Sequence, residues 1–264
     1  MSLRSISFKA LSYLSFGGKR GRVILMYHNV TKEHSPIFSN VTIEQFEDQI
    51  RTLLRDGYIP LKVSEFVARM RMGEDISRYV AVSFDDGYED LFTYMFPISK
   101  KYNLPVSVFL ITGYVGKSFV NGRGITQQVL SEDQIHTMMD SGLVEFLPHT
   151  RTHPRLGSDV YPYEDEVEGS YNDLVRIVGV PVPKIFAYPR GKYTDAYVSW
   201  LKEHGWIASV TTDPGSVGVG NNPFTIPRIM VYGNMSIAEF RVNLTLIGVW
   251  ARTCKRALKV IRNT

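Results

Sequence analysis

Residues 81–90 read AVSFDDGYED, an apolar run that ends in two adjacent carboxylates, Asp85 and Asp86, followed by Gly87. Neighbouring like charges repel and each resists burial, so such a pair at the mouth of a core strand needs compensation. Either the two are solvated turn residues, which an Asp-Gly step favours, or the turn aims one carboxylate at a metal and leaves the other free to move a proton. A second stretch, LPHTRTHPRL at 147–156, spaces His149 and His153 four apart before Pro154. That spacing presents two imidazoles to one ion when the intervening backbone turns helically. Joined to one Asp of the pair, the histidines make a two-His, one-carboxylate set, a recurrent arrangement for a metal that keeps positions open to water and substrate.

Positioning these groups together is a task for the strands that precede them. Apolar, strand-like runs fall near 23–28, 79–84, 105–111, 143–148, 184–188, 206–212 and 226–231, with a shorter one near 58–61. Helix-like segments separate them. Thr42 with Gln45 and Ser131 with Gln134 have capping-box spacing, and Gly57, Gly73 and Gly142 stand where helices would stop. Continuous apolar strands alternating with helices predict an α/β fold with a parallel sheet, and seven or eight such units favour a distorted (β/α) barrel forming a single domain over residues 22–235. The chemistry of a parallel barrel sits at the C-terminal ends of its strands. Asp85 and Asp86, His149 and His153, and Tyr188, Pro189 and Arg190 all stand at such ends, so one rim gathers them.

The chain has 264 residues, 44% hydrophobic and 21% charged, and a single cysteine, Cys254, which excludes an internal disulfide scaffold. Its net charge of +4 is unevenly spread. Residues 1–22 carry five Lys or Arg and no acid, as do residues 251–264, which leaves 20 basic against 26 acidic residues elsewhere. A nucleic-acid-binding surface is not distributed in this way. Both basic ends, a segment over 1–21 and a helical segment over 236–264, also contain apolar residues such as Leu11, Phe16, Trp250 and Ile261. Each fits a basic amphipathic helix against an anionic membrane, or a solvated helix packed on the domain. No run of about 18 apolar residues occurs, and Arg4 and Lys9 interrupt the N-terminal apolar residues, so no export signal is read. The expectation is a cytoplasmic protein, peripheral at the membrane surface if the ends bind there.

SFDDG at 83–87, HTRTHP at 149–154 and FAYPRG at 186–191, in this order, resemble the first three motifs of the polysaccharide deacetylase family, the NodB-homology domains of carbohydrate esterase type. MYHNV at 26–30, VSVFLITGYVG at 106–116 and the stretch from TTDPGSV to IPRIMV extend the resemblance over roughly residues 22–232. The resemblance implies a metal-dependent hydrolase of carbon–nitrogen bonds that removes the N-acetyl group of an amino sugar, N-acetylglucosamine-like, in a glycan or its precursor. It implies Asp85 as general base, and Asp86, His149 and His153 as ligands of one divalent ion. Zinc suits that thiolate-free nitrogen and oxygen set. The backbone N–H of the residue after the motif-three proline, here Arg190, would stabilise the oxyanion.

Three departures qualify it. The Arg that precedes the aromatic residue and proline in many members is Ala187 here, so another group must orient Asp85, and Arg228 in IPRIMV is the candidate, a structural ion pair being the other reading. Arg190 stands where a tyrosine is frequent, and its side chain could meet an anionic part of the substrate. The late histidine that acts as general acid in many members is missing, since no histidine follows His204. His28, at the end of the first strand, is the candidate for protonating the leaving amine or binding substrate, or else it hydrogen-bonds within the rim. His34, His136 and His204 read as surface residues. Two other functions remain open: a carbohydrate-binding relative without turnover, and a hydrolase of a non-sugar amide.

The acid-free ends generate the first test. Because each Lys or Arg near an anionic leaflet contributes about 1 kcal/mol, the expected result is salt-sensitive co-sedimentation with anionic vesicles that disappears when residues 1–20 and 251–264 are removed. Equal behaviour with neutral vesicles would refute the membrane reading.

Overall fold

The computed structural model describes residues 22–34, 37–122, 124–156, 162–218 and 220–245. The basic ends over 1–20 and 251–264 therefore lie outside the described residues. The strands are β1 (Val23–Tyr27), β2 (Asn29–Thr31), β3 (Asn40–Thr42), β4 (Ile59–Leu61), β5 (Tyr79–Asp86), β6 (Val106–Leu110), β7 (Ser118–Val120), β8 (Thr126–Gln128), β9 (Val144–Pro148), β10 (Ile185–Ala187), β11 (Ala208–Val210) and β12 (Ile229–Met230). The α-helices are α1 (Ile43–Arg55), α2 (Val63–Arg71), α3 (Phe96–Tyr102), α4 (Glu132–Asp140), α5 (Gly169–Val178), α6 (Asp195–Glu203) and α7 (Ile237–Asn243). Both expected capping boxes close, Thr42 with Gln45 on α1 and Ser131 with Gln134 on α4.

All eight apolar runs are strands, and they pair in parallel. The central sheet runs β12-β1-β5-β6-β9, with β4 joining the N-terminal half of β5 on the same side as β6 joins its C-terminal half. β10 and β11 form a separate parallel pair, linked onward by a parallel bridge from Val210 to Ile226 just before β12. The expected parallel barrel is thus an almost complete ring, and no ladder joins β9 to β10 among the described residues.

Strand alternation divides the core into an inside and an outside. Ile24, Ala81, Phe109, Leu147, Ile185 and Ala187 face inward and cluster with Val63, Phe66 and Val67 of α2. Their neighbours in the sequence, among them Leu25, Val82, Val108 and Phe146, face outward onto α1, α4 and α5. α7 adds Phe240 to that outer layer, fastened by Arg241 on Asp56 and by the Tyr58 hydroxyl donating to the Leu244 carbonyl at 2.7 Å. On β5 the inward set continues through Ser83 to Asp85, on β9 through Glu145 and Leu147 to His149, and on β1 from Ile24 and Met26 to His28. The residues gathered at the rim are therefore the last members of inward-facing series.

Two small pairings that carry no apolar run were not read from the sequence. β2 pairs with β3, and β7 with β8 as an antiparallel hairpin. Both border the rim. No described helix is long and apolar enough to cross a membrane.

Candidate active site

The inward alternation of β5 ends in a buried ion pair. Arg228 donates through both terminal guanidinium nitrogens to the two oxygens of Asp85, each at 2.7 Å, and neither side chain is exposed by more than 3%. Two further Arg228 N–H groups reach the Thr211 carbonyl at 2.9 Å and the Ser83 hydroxyl at 3.2 Å. A fork–fork contact of this kind fixes orientation as well as charge. Burial, the largest single influence, pushes the Asp85 carboxyl up, but the Arg228 guanidinium together with the neighbouring His149 and His28 more than offsets it and holds the group at about 2. Arg228 thus holds Asp85 in one orientation.

One residue later the strand turns sharply. Asp86 has φ 75°, in the left-handed region that side chains with a Cβ seldom adopt, and this turns its carboxylate out of the inward series toward the rim. Gly87 follows at φ 76°, where a residue with a Cβ is strained, so the third residue of Asp-Asp-Gly favours glycine. The adjacent carboxylates face different partners, which resolves their repulsion.

β9 delivers the histidines. Its register sets Pro148 beside Leu110, itself beside Asp86, so His149 emerges level with the carboxylate. The His149 Nδ1 hydrogen-bonds the Ala187 carbonyl at 2.7 Å across the unladdered seam between β9 and β10. That contact leaves Nε2 bare, 3.6 Å from Asp86 Oδ1, and His153 Nε2 stands 3.7 Å from the same oxygen. Burial pushes the His153 imidazolium down to about 4, against the pull of Asp86, so the ring is neutral with a free lone pair. Asp86 Oδ1 is buried without a hydrogen-bond partner, while the carboxylate also holds the Tyr88 hydroxyl. An orphaned carboxylate oxygen facing two imidazole nitrogens, all within 4.8 Å, fits a divalent cation. A buried carboxylate oxygen is seldom left without a partner.

The turn that carries both histidines is held by a residue the sequence reading did not single out. Glu166 Oε2 accepts the backbone N–H of Arg151 at 3.1 Å and of Thr152 at 3.0 Å, and Oε1 accepts the Thr152 hydroxyl at 2.5 Å. Thr150 Oγ1 accepts the His153 N–H at 3.0 Å, with both residues in the left-handed region. Arg151 pairs bidentately with Asp173 of α5 and needs the bare Cα of Gly113, where a Cβ would stand 2.6 Å from its carbonyl oxygen. Within EDEVE at 164–168, Glu166 looks like one more solvated acid. Its burial was the missing signal.

The other expected residues separate. Arg190 lines a cleft of about 410 Å³ together with His28, Asp86 and His153. His28 Nδ1 is buried without a hydrogen-bond partner among the described residues, which removes the reading of a histidine satisfied within the rim through that atom. Tyr188 departs from expectation. Its side chain belongs to the outward series with Phe186, its hydroxyl donates to the Phe224 carbonyl at 3.1 Å, and it has no exposed surface, so it packs the core and does not reach the cleft. Pro189 is buried and leads the backbone into the left-handed turn at Arg190, φ 57°. His34, His136 and His204 are exposed.

The Glu166 clamp generates a test. Outer partners of metal ligands typically contribute 10- to 100-fold in affinity, so Glu166→Ala should weaken Zn²⁺ binding by that order in a calorimetric titration, while Glu166→Gln, which keeps a carbonyl acceptor, should lose less. Unchanged affinity in both variants would make Glu166 a packing residue only.

The sequence model of the polysaccharide deacetylase family matches residues 73–208. A poly-beta-1,6-N-acetyl-D-glucosamine N-deacetylase of Staphylococcus aureus is 27% identical over 200 residues, 73% of this chain and 68% of its own length. A Streptococcus pyogenes deacetylase solved in complex with acetate superposes with a TM-score of 0.73 at 25% identity, covering 85% of this chain and 98% of its own. A polysaccharide deacetylase of Bacillus cereus does so at 0.69 and 26%, covering 84% and 68%. The match spans just over half of the sequence and contains both aspartates, both histidines and Arg190; the chain belongs to the polysaccharide deacetylase family, hydrolases of carbon–nitrogen bonds other than peptide bonds.

Proposed function

We propose that the protein removes the N-acetyl group from an N-acetylglucosamine-like sugar of a glycan, releasing acetate, with one divalent ion, zinc, held by Asp86, His149 and His153. The observation that carries this reading is the unpartnered Asp86 oxygen facing two imidazole nitrogens beside a carboxylate locked in its ionised form. Three relatives act in their own right as deacetylases, one of them on poly-N-acetylglucosamine.

A bound divalent ion would polarise the acetamide carbonyl and acidify water. Asp85 takes the proton as the water oxygen bonds to the carbonyl carbon. Arg228 leaves each Asp85 oxygen a second lone pair for that proton and fixes where it points. The N–H of Arg190 donates to the developing oxyanion. The carbon–nitrogen bond then breaks with its electron pair going to nitrogen, and His28 supplies the proton that turns the leaving group into an amine. The products are acetate and a free amino sugar. An intact Asp85, Asp86, His149 and His153 set argues against a relative that only binds carbohydrate, and the cleft at their mouth suits a sugar chain better than a buried small amide. In the cytoplasmic location read from the sequence, lipid-linked or nucleotide-linked saccharides would be the substrates at hand.

Separating base from ligand tests the assignment. Asp85→Asn should lose on the order of 10²-fold or more in acetate release while keeping the metal. Asp86→Asn and His149→Ala should lose metal content and activity together. Full metal occupancy in His149→Ala, or loss of metal with Asp85→Asn alone, would overturn the roles.

A further inference from the structure

The charge of the cleft points to the kind of glycan it takes. Among the described lining residues Asp86 is the one acid and Arg190 the one permanent cation. Asp85, just beneath, is already neutralised by Arg228. A divalent ion against Asp86 therefore leaves the cleft with an excess of positive charge, and Arg190 adds to it. Among the described residues Arg190 has no ion-pair partner, whereas Arg151, Arg228 and Arg241 each hold a carboxylate bidentately. Its guanidinium lies against Gly122 of the loop joining β7 and β8, where a Cβ would come within 2.2 Å of Nη2. The chain thus sets an exposed planar cation in the same cleft as the candidate metal ligands.

Resting on the deacetylase reading, we infer that Arg190 binds an acidic group, carboxylate or phosphate, on the sugar next to the N-acetylated one. A guanidinium fork matches either anion bidentately, and a cleft of one sign concentrates substrates of the other. The same charge repels the ammonium group that each turnover creates, so a neighbouring sugar already deacetylated is a poorer occupant than an acidic one. The enzyme is thereby matched to an acidic or phosphorylated N-acetylated saccharide and leaves neutral homopolymers sparsely modified.

The test uses the metal-loaded full chain and three oligosaccharide probes of equal length: a neutral N-acetylglucosamine tetramer, an alternating tetramer of N-acetylglucosamine and glucuronate, and the neutral tetramer carrying a phosphate at its reducing end. Binding is measured by calorimetry at low and high salt, and acetate release in parallel. The expected result is tighter binding, about tenfold, of at least one acidic probe over the neutral one, weakened by salt. The ratio should fall to near one in Arg190→Gln and be partly kept in Arg190→Lys. Preference for the glucuronate or for the phosphate probe identifies which source the site reads. Equal binding of all three probes by the native chain, or an equal loss on every probe in Arg190→Gln, overturns the inference. Acetate release from the neutral tetramer without any acid preference leaves the deacetylase reading standing and this one refuted. Acid-selective binding without acetate release from any probe does the reverse.

Discussion

The contact between Arg228 and Asp85 brings the last inward residue of β5 against a side chain from just before β12, two elements more than 140 residues apart in the sequence. Both groups are ionic and buried, so neither is tolerable alone. Removing one partner of such a pair typically destabilises by about 3–5 kcal/mol because the other is left charged and uncompensated. Everything else at the rim is arranged around this constraint. Asp85 is pinned inward, which obliges Asp86 to turn the other way, and the turn favours Gly87. The carboxylate so displaced meets the two histidines that the register of β9 delivers. Specificity of position, more than net stabilisation, is what the pair supplies.

Backbone strain at this rim has a common pattern. Asp86, Thr150, His153 and Arg190 account for four of the five non-glycine residues at positive φ among the described residues, and the fifth, Asn103, ends α3. Each such residue costs of order 1–3 kcal/mol unless its surroundings over-determine it. They do here: the Glu166 carboxylate clamps the turn between Thr150 and His153 from below, and Pro189 sets the approach to Arg190. Strain and clamp belong to one device, in which a rigid floor presents side chains at angles a regular strand end would not give.

The fold was largely legible because parallel barrel strands are buried on both faces and so appear as unbroken apolar runs. The metal and base candidates were legible for a related reason, since polar residues directly after such runs have few explanations. Arg228 could be inferred from a gap, the missing arginine at Ala187. Tyr188 was misread because its place at a strand end outweighed its parity: counting from Ala187, alternation sends it outward. β2, β3, β7 and β8 are three residues each and polar at several positions, too short for a period to show. Glu166 lies 13 residues past His153 within an acidic run, and only the folded chain brings it beneath the histidine turn.

The seam between β9 and β10 gives the ring a property of its own. Ladder hydrogen bonds close the other main strand contacts from β12 to β9, but here the His149 imidazole spans to the Ala187 carbonyl. Because that ring is also the candidate ligand, occupancy of its far nitrogen and cohesion of the two halves of the barrel are thermodynamically linked. A cation present at 100 times its dissociation constant would add about 2.7 kcal/mol to the native state, and that increment would fall where the ring is held by one side chain. The segment from β10 to β11 should then open more readily to solvent than the β1-β5-β6 centre when the ion is withdrawn, so that the candidate metal site also serves as the clasp of the fold.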